Sequence, residues 1–252
     1  MIKEIIELIQ NAGKEVLNIY NSGDFQVEIK KDNSPLTKAD LISNQILMDG
    51  LKKIESLPIL SEECELNYRE RKDWKKFWII DPLDGTKDFI AKNGEFTINI
   101  ALIENNLPIL GFIYAPALGD LYWAVKNSGA FKNGKKIYNN LERKDLIGTH
   151  SRFHSNLKTT NFLKNNNISI IKEFGSALKF CKLAEGVVDI YPRHTGSMEW
   201  DIAAGDIILN ESGCGMRSID TNEHFKYNKK SLLNDFFVAS RLNLLQTIKH
   251  VQ

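Results

Sequence analysis

The sequence predicts an α+β protein in which a helical, then antiparallel first half joins an alternating α/β second half. Three observations carry that prediction. An apolar stripe at helical spacing opens the chain, β-rich runs separated by tight turns fill residues 96–137, and strands alternate with helices after about residue 140.

Ile2, Ile5, Ile6, Ile9, Gly13, Val16, Leu17 and Tyr20 share one helical face, and Asn21-Ser22-Gly23 should end that helix. A second helix should start near Thr37 or Asp40, whose spacing resembles a capping box, and run to about Ile54. A short apolar run from Leu57 to Leu60 ends at Glu62 and Glu63. Strand character returns at Phe77 to Ile80 and should stop at Asp81-Pro82, where proline restricts the chain. Residues 96–103, 109–114 and 121–125 read as antiparallel strands, and Asn133-Gly134 marks a hairpin turn. Further strands are expected at 146–149, 168–173, 187–191 and 236–240, with helices at about 176–184, 199–211 and 241–250. No Pro/Gly/Ser-rich linker and no fixed-period repeat divides the chain, so 1–252 reads as one domain with subdomains of about 1–140 and 141–252.

The chain has 252 residues, of which 42% are hydrophobic and 26% charged, an ordinary globular composition that excludes a disordered chain. The 33 Lys+Arg against 32 Asp+Glu leave a net charge of +1, which argues against a protein that coats nucleic acid or a membrane. Cys64, Cys181 and Cys214 are far apart and form no zinc or disulfide pattern, so they are expected as small buried thiols. The N-terminus lacks a signal peptide's apolar core. The uncharged stretch from Asn105 to Gly119 is broken by Pro108, Gly111 and Pro116, so it cannot supply the ~18–20 apolar residues of a membrane span. A cytoplasmic location is the expectation. Lysine pairs such as Lys30-Lys31 read as solvated surface.

Chemistry concentrates in Trp78 to Phe89. A buried strand delivers Asp81, Gly85 permits a tight turn, and Thr86 stands where a helix N-cap should be. Asp81 and Asp84 leave one turn and can converge, and two such carboxylates repel unless a cation lies between them. Oxygen-only ligands favour a hard ion such as Mg²⁺. By itself this turn also reads as two solvated acids beside a cap. Two further acidic spots, Glu62-Glu63 and Glu199-Trp200-Asp201, lie at the ends of other buried elements, which sharpens the reading to a metal-assisted phosphoryl site.

DPLDGTKDF at 81–89, SEE at 61–63 and EWDIAAG at 199–205 resemble the inositol monophosphatase superfamily of Mg²⁺-dependent, lithium-sensitive phosphatases. The stretches 31–40 and 93–102, together with Gly175 to Cys181 and Tyr191-Pro192-Arg193, resemble its CysQ-type branch of 3′(2′),5′-bisphosphate nucleotidases. The resemblance runs from the first helix to about Phe237. It implies a layered α-β-α-β-α sugar-phosphatase fold, with metal and catalysis in the first subdomain and substrate specificity in the second.

The same resemblance implies hydrolysis of adenosine 3′,5′-bisphosphate to AMP and phosphate by in-line attack of a metal-bound water, using two or three Mg²⁺ ions, in sulfate assimilation and nucleotide recycling. Glu62, Asp81, the Leu83 carbonyl, Asp84 and Asp201 would hold metal, with Glu63 as the adjacent alternative to Glu62. Thr86, aligned by Asp40, would orient the water. Gly85, Thr86, Lys87 and Asp201 would also bind substrate, the helix N-terminus behind Thr86 giving N–H donors to the phosphate oxygens. Ser176, Lys179 and Arg193 would hold the 5′-phosphate and ribose side, with His154 near the nucleotide. Ser176 and Lys179 are expected on one face of a first helical turn. His194 to Met198 depart from the branch's usual Gly-Pro-Thr turn, and Ala177 replaces a common second serine. Inositol monophosphatase or fructose-1,6-bisphosphatase activity is the enzymatic alternative, and a nucleotide-bisphosphate sensor the non-enzymatic one. Partners reduce to that small molecule, with no nucleic-acid polymer. A monomer or homodimer, and peripheral association with the cytoplasmic face of an inner membrane, stay open.

Overall fold

The computed structural model describes residues 1–30, 34–64, 66–153 and 155–248. Helix α1 (Ile2–Ser22) buries Ile5, Ile9, Ala12, Gly13 and Val16. It ends at Gly23, whose left-handed φ of 76° turns its N–H back onto the Ile19 carbonyl. A two-residue antiparallel pair, β1 (Glu28–Ile29) and β2 (Pro35–Leu36), leads into α2 (Lys38–Ile54). Thr37 caps α2 and Asp40 closes the capping box.

Next come β3 (Ile59–Ser61), α3 (Tyr68–Arg71), β4 (Lys76–Asp84) and α4 (Thr86–Ile90). An antiparallel run follows: β5 (Thr97–Glu104), β6 (Leu107–Ala115), β7 (Asp120–Val125), β8 (Gly129–Lys132) and β9 (Lys135–Ile137). Strands β3 to β9 lie side by side in sequence order as a seven-stranded sheet, and only β3 and β4 are parallel within it. The second half holds β10 (Ile147–Ser151), α5 (Leu157–Asn165), β11 (Ile170–Phe174), α6 (Leu178–Ala184), β12 (Ile190–Arg193) and α7 (Glu199–Asn210). It closes with β13 (Cys214–Ser218), β14 (Phe237–Arg241) and α8 (Leu242–Leu245), and its five strands run β11-β10-β12-β14-β13.

Three apolar cores explain the layering. On one face of the large sheet, Trp78, Ile80, Ile98 and Phe112 meet Ile5 and Ile9 of α1 and Leu47 and Leu51 of α2. On the other face, Phe77, Ile79 and Ala101 meet Phe180 of α6 and Ile202, Ala203 and Ile207 of α7, and the same core continues to Tyr191 and Phe237 of the small sheet. The far side of the small sheet, Ile190 and Val238, is covered by Phe162 and Leu163 of α5 and Leu245 of α8. The order is therefore helix, sheet, helix, sheet, helix. Strand β4 alternates apolar residues onto two buried faces, which is why it reads as a continuous apolar run.

Two differences from the sequence reading matter for the site. Strand β4 does not stop at Pro82 but continues to Asp84 through a bulge, pairing Asp81 with Asn99 and Asp84 with Thr97. A bulge tolerates a residue without an N–H because the ladder is already interrupted there. Helix α5 was not expected, since its only apolar residues are Leu157, Phe162 and Leu163, and Leu157 is 80% exposed. The expected C-terminal helix is confined to α8 within the described residues. Cys64 is exposed, whereas Cys181 and Cys214 are buried free thiols. Among the described residues, no helix is long and apolar enough to cross a membrane.

Candidate active site

The bulge is what builds the acidic centre. Residues three apart on a regular strand point to opposite faces, but one extra residue turns both Asp81 and Asp84 to the same side. Asp201 joins them from the first turn of α7, where its Oδ2 accepts the Met198 N–H at 2.9 Å. One carboxylate oxygen from each of the three lies within 4.8 Å of the others. Asp81 is only 1% exposed and its Oδ1 accepts the Leu83 N–H at 3.1 Å.

Glu62 enters from the turn after β3, anchored by its own N–H on the Ile80 carbonyl at 3.3 Å, and its carboxyl group faces that of Asp81 closely enough to raise its pKa. Glu63, its neighbour, has a side chain only 5% exposed rather than solvated. Burial, then the neighbouring acids, push Asp81 well above the usual carboxylate range. Burial pushes Glu62 and Asp201 each up to about 7, opposed by Lys30 and Arg193 respectively. A cluster of desolvated carboxylates with oxygen donors only is relieved by a proton or a hard cation, so these residues fit a divalent ion. The carbonyls of the turn divide the same way. Pro82's accepts the buried Ser43 hydroxyl at 2.7 Å, while Leu83's lies 3.4 Å from the Thr86 hydroxyl, which is equally close to Asp40, and Leu83 borders the cavity.

Lys30, expected on the surface, instead reaches this centre, with Nζ 2.8 Å from Glu62 Oε1 and 2.7 Å from Glu63 Oε1. Burial pulls its pKa down, but the two glutamates outweigh that and leave it raised. Nothing local in the sequence marks Lys30, because its partners lie 32 and 33 residues away.

Thr86 is the first residue of α4, and the N-cap is Gly85, whose φ of 86° excludes other residues at little cost only to glycine. Thr86 Oγ1 lies 3.4 Å from Asp40 Oδ1. Asp40 serves two functions at once: Oδ2 accepts the Thr37 N–H at 2.7 Å and its hydroxyl at 2.6 Å, leaving Oδ1 for Thr86. Burial raises Asp40 to about 6, against those Thr37 hydrogen bonds.

The second half supplies a polar wall. Ser176 precedes α6 in a left-handed conformation, φ 50°, so it does not share a helical turn with Lys179. Its Oγ donates to Asp84 Oδ2 at 2.8 Å and lies 2.5 Å from Thr97 Oγ1. Lys179 is 1% exposed and its ammonium donates to the carbonyls of Phe174 and Ser176 at 3.2 and 2.5 Å. Burial, then Arg193, lower its pKa to about 8. One donor is left for a ligand. Arg193 binds the Gly196 carbonyl at 2.9 Å and sits 4.0 Å from Asp201 Oδ2, while its buried Nε has no partner among the described residues. Gly85, Lys87, Lys179 and Arg193 border the same cavity of about 800 Å³ as Glu62 and the three aspartates. His154 lies outside the described residues.

The model of the inositol monophosphatase family matches residues 1–251. A 3′(2′),5′-bisphosphate nucleotidase CysQ from Buchnera aphidicola is 40% identical over 251 residues, covering 96% of this chain and 94% of that protein. The protein of the same description from Escherichia coli K12 is 35% identical over 245 residues, covering 95% and 99%. Among solved structures, CysQ from Bacteroides thetaiotaomicron matches with a TM-score of 0.85 at 35% identity, covering 95% of this chain and 96% of that one. Layer order, acidic centre and sequence similarity agree: the chain belongs to the inositol monophosphatase family.

Proposed function

We propose that the chain is a 3′(2′),5′-bisphosphate nucleotidase that hydrolyses the 3′-phosphate of adenosine 3′,5′-bisphosphate to give AMP and inorganic phosphate, with Mg²⁺ as its ion. One observation carries this: a single cavity joins a carboxylate cluster to a half-buried arginine whose Nε has no partner among the described residues, room for two anionic groups of different treatment. Glu62, Asp81, Asp84, Asp201 and the Leu83 carbonyl would hold the ion. When bound, it would polarise a phosphate oxygen and make water more acidic.

The chain's own groups do the rest. The Thr86 hydroxyl donates to Asp40 and offers its lone pairs to a water, fixing the direction from which that water meets phosphorus. Asp40, ionised at neutral pH, gives the proton a destination. A bond forms between the water oxygen and phosphorus, the bond from phosphorus to the 3′-oxygen breaks with its electron pair, and that alkoxide takes a proton from solvent water to leave as a hydroxyl, balancing the one passed to Asp40. Arg193 presents a planar fork suited to the retained 5′-phosphate, and Lys87 adds a cation at the cavity wall.

The purified protein with Mg²⁺ should release phosphate from adenosine 3′,5′-bisphosphate about tenfold faster or more than from inositol 1-phosphate, a difference of about 1.4 kcal/mol in barrier. The reverse preference, read by phosphate release under matched conditions, would exclude the nucleotidase reading.

A further inference from the structure

The stretch from Asn93 to Thr97 performs none of the roles above, yet two of its three polar side chains, Glu95 and Thr97, reach the loop that carries Ser176, and the third, Asn93, braces Glu95. Asn93 Nδ2 donates to Asp88 Oδ1 at 2.5 Å, and Asn93 Oδ1 accepts the Glu95 N–H at 2.9 Å. Glu95 Oε2 accepts two hydrogen bonds, from the Gly175 N–H and from Arg152 Nη2, both at 2.8 Å. Thr97 Oγ1 lies 2.5 Å from Ser176 Oγ.

The fit around this loop is tight. A Cβ at Gly175 would stand 2.6 Å from Asp88 Cγ, and one at Gly85 would stand 3.0 Å from Ser176 Cβ. Ser176 holds a φ of 50°, which a side-chain-bearing residue keeps only where its surroundings over-determine it. Its position has consequences on both sides. Its hydroxyl donates to Asp84, and its carbonyl, with that of Phe174, fixes the Lys179 ammonium.

We infer that Glu95 is a positioning residue for recognition of the substrate's second phosphate: by clasping the Gly175 N–H it sets the Gly175-Ser176 turn, and through it Ser176 and Lys179. This rests on the nucleotidase reading. The chemistry is directional, because a charged acceptor on a backbone N–H is among the stronger hydrogen bonds and Glu95 is the side chain that supplies it. Arg152 is 37% exposed and neutralises Glu95 from outside. It is not needed for the clasp itself.

Four variants separate these roles: Glu95→Ala, Glu95→Gln, Arg152→Ala and Thr97→Val. Glu95→Ala should raise KM for adenosine 3′,5′-bisphosphate, and weaken calorimetric binding of AMP, by about tenfold, the scale of one lost charge-assisted hydrogen bond. KM for adenosine 3′-monophosphate, which lacks the second phosphate, should stay within about twofold. Glu95→Gln keeps an acceptor for Gly175 and should restore most of the affinity, and Arg152→Ala should resemble it. Thr97→Val removes the other clasp without changing shape and should move the same two readouts, so the inference stays testable if Glu95→Ala does not fold. An equal rise in KM for both nucleotides in Glu95→Ala or Thr97→Val, or a loss in Arg152→Ala as large as in Glu95→Ala, would overturn it. If the unsubstituted protein shows no preference for the bisphosphate over inositol 1-phosphate, the nucleotidase reading fails instead.

Discussion

Asp81 concentrates the conflict between folding and function at a single residue. It is buried, its Oδ1 is held by the Leu83 N–H, and it faces Glu62, Asp84 and Asp201. Desolvation and like charge both oppose its ionised form, so without a cation it costs stability, the penalty expected of a residue placed for ion binding rather than for folding. Asp81→Asn preserves the shape and the Leu83 contact while removing one charge from the cluster. Phosphate release should fall by about 10³-fold or more, given the several kcal/mol that metal assistance supplies. The metal-free melting temperature should rise by comparison with the unsubstituted protein. Substantial turnover in this variant would remove Asp81 from the metal site. Lys30 resolves part of the same conflict by placing an ammonium between Glu62 and Glu63.

At the scale of elements, the site depends on where α7 lies against the large sheet, because α7 carries Asp201 while β4 carries Asp81 and Asp84. The contact is made at Gly111 of β6, where an added Cβ would stand 2.4 Å from Ile207 Cγ2, 2.9 Å from the Ala204 carbonyl oxygen and 3.0 Å from Ala204 Cα. Two of those three atoms are backbone and cannot swing away. Gly111→Ala should therefore cost about 1–3 kcal/mol through overpacking, which for a chain of this length is a melting-point drop of roughly 2–4 °C per kcal/mol. It should also lower kcat by displacing Asp201. A variant with unchanged stability and activity would show that α7 is free to shift. The same scale shows what was readable beforehand. Helices α1 and α2 were legible because each buries one regular stripe, α7 and the antiparallel strands because they are dense apolar runs bounded by turns, and the acids of the cavity because they stand near the ends of such elements. The bulge at Pro82 was not legible, since it depends on the register against Asn99 and Thr97. Lys30 and the Glu95–Gly175 clasp were hidden for a related reason: their partners are distant in sequence, and the local pattern around each is an ordinary charged turn.

For the molecule as a whole, the net charge of +1 conceals a strong local asymmetry. Six acids, Glu62, Glu63, Asp81, Asp84, Asp88 and Asp201, border one cavity with four cations, Lys30, Lys87, Lys179 and Arg193, so an anionic substrate meets both signs in one cavity. The asymmetry has a pH signature. Burial raises Glu62 and Asp201 to about 7, Asp40 to about 6 and Asp81 well above its ordinary value, whereas the same carboxyls in the unfolded chain titrate near 4. A raised acid holds its proton more tightly in the folded state, so between about pH 4 and pH 7 the folded protein carries more protons than the unfolded chain. The stability these groups contribute is then present at the acid end and is lost as pH rises through the folded values. The metal-free protein should melt at a lower temperature at about pH 8 than at about pH 5.5, and Mg²⁺ should reverse most of that difference, because a ligand bound only by the folded state adds stability as its carboxylates ionise. Scanning calorimetry of the unsubstituted protein beside Asp201→Asn isolates the effect from background titration. The pH-dependent loss should be smaller in the variant, and so should the gain on adding Mg²⁺. An equal pH slope in the two proteins would mean that the buried acids do not govern it, and that the asymmetry is balanced within the fold before any cation arrives.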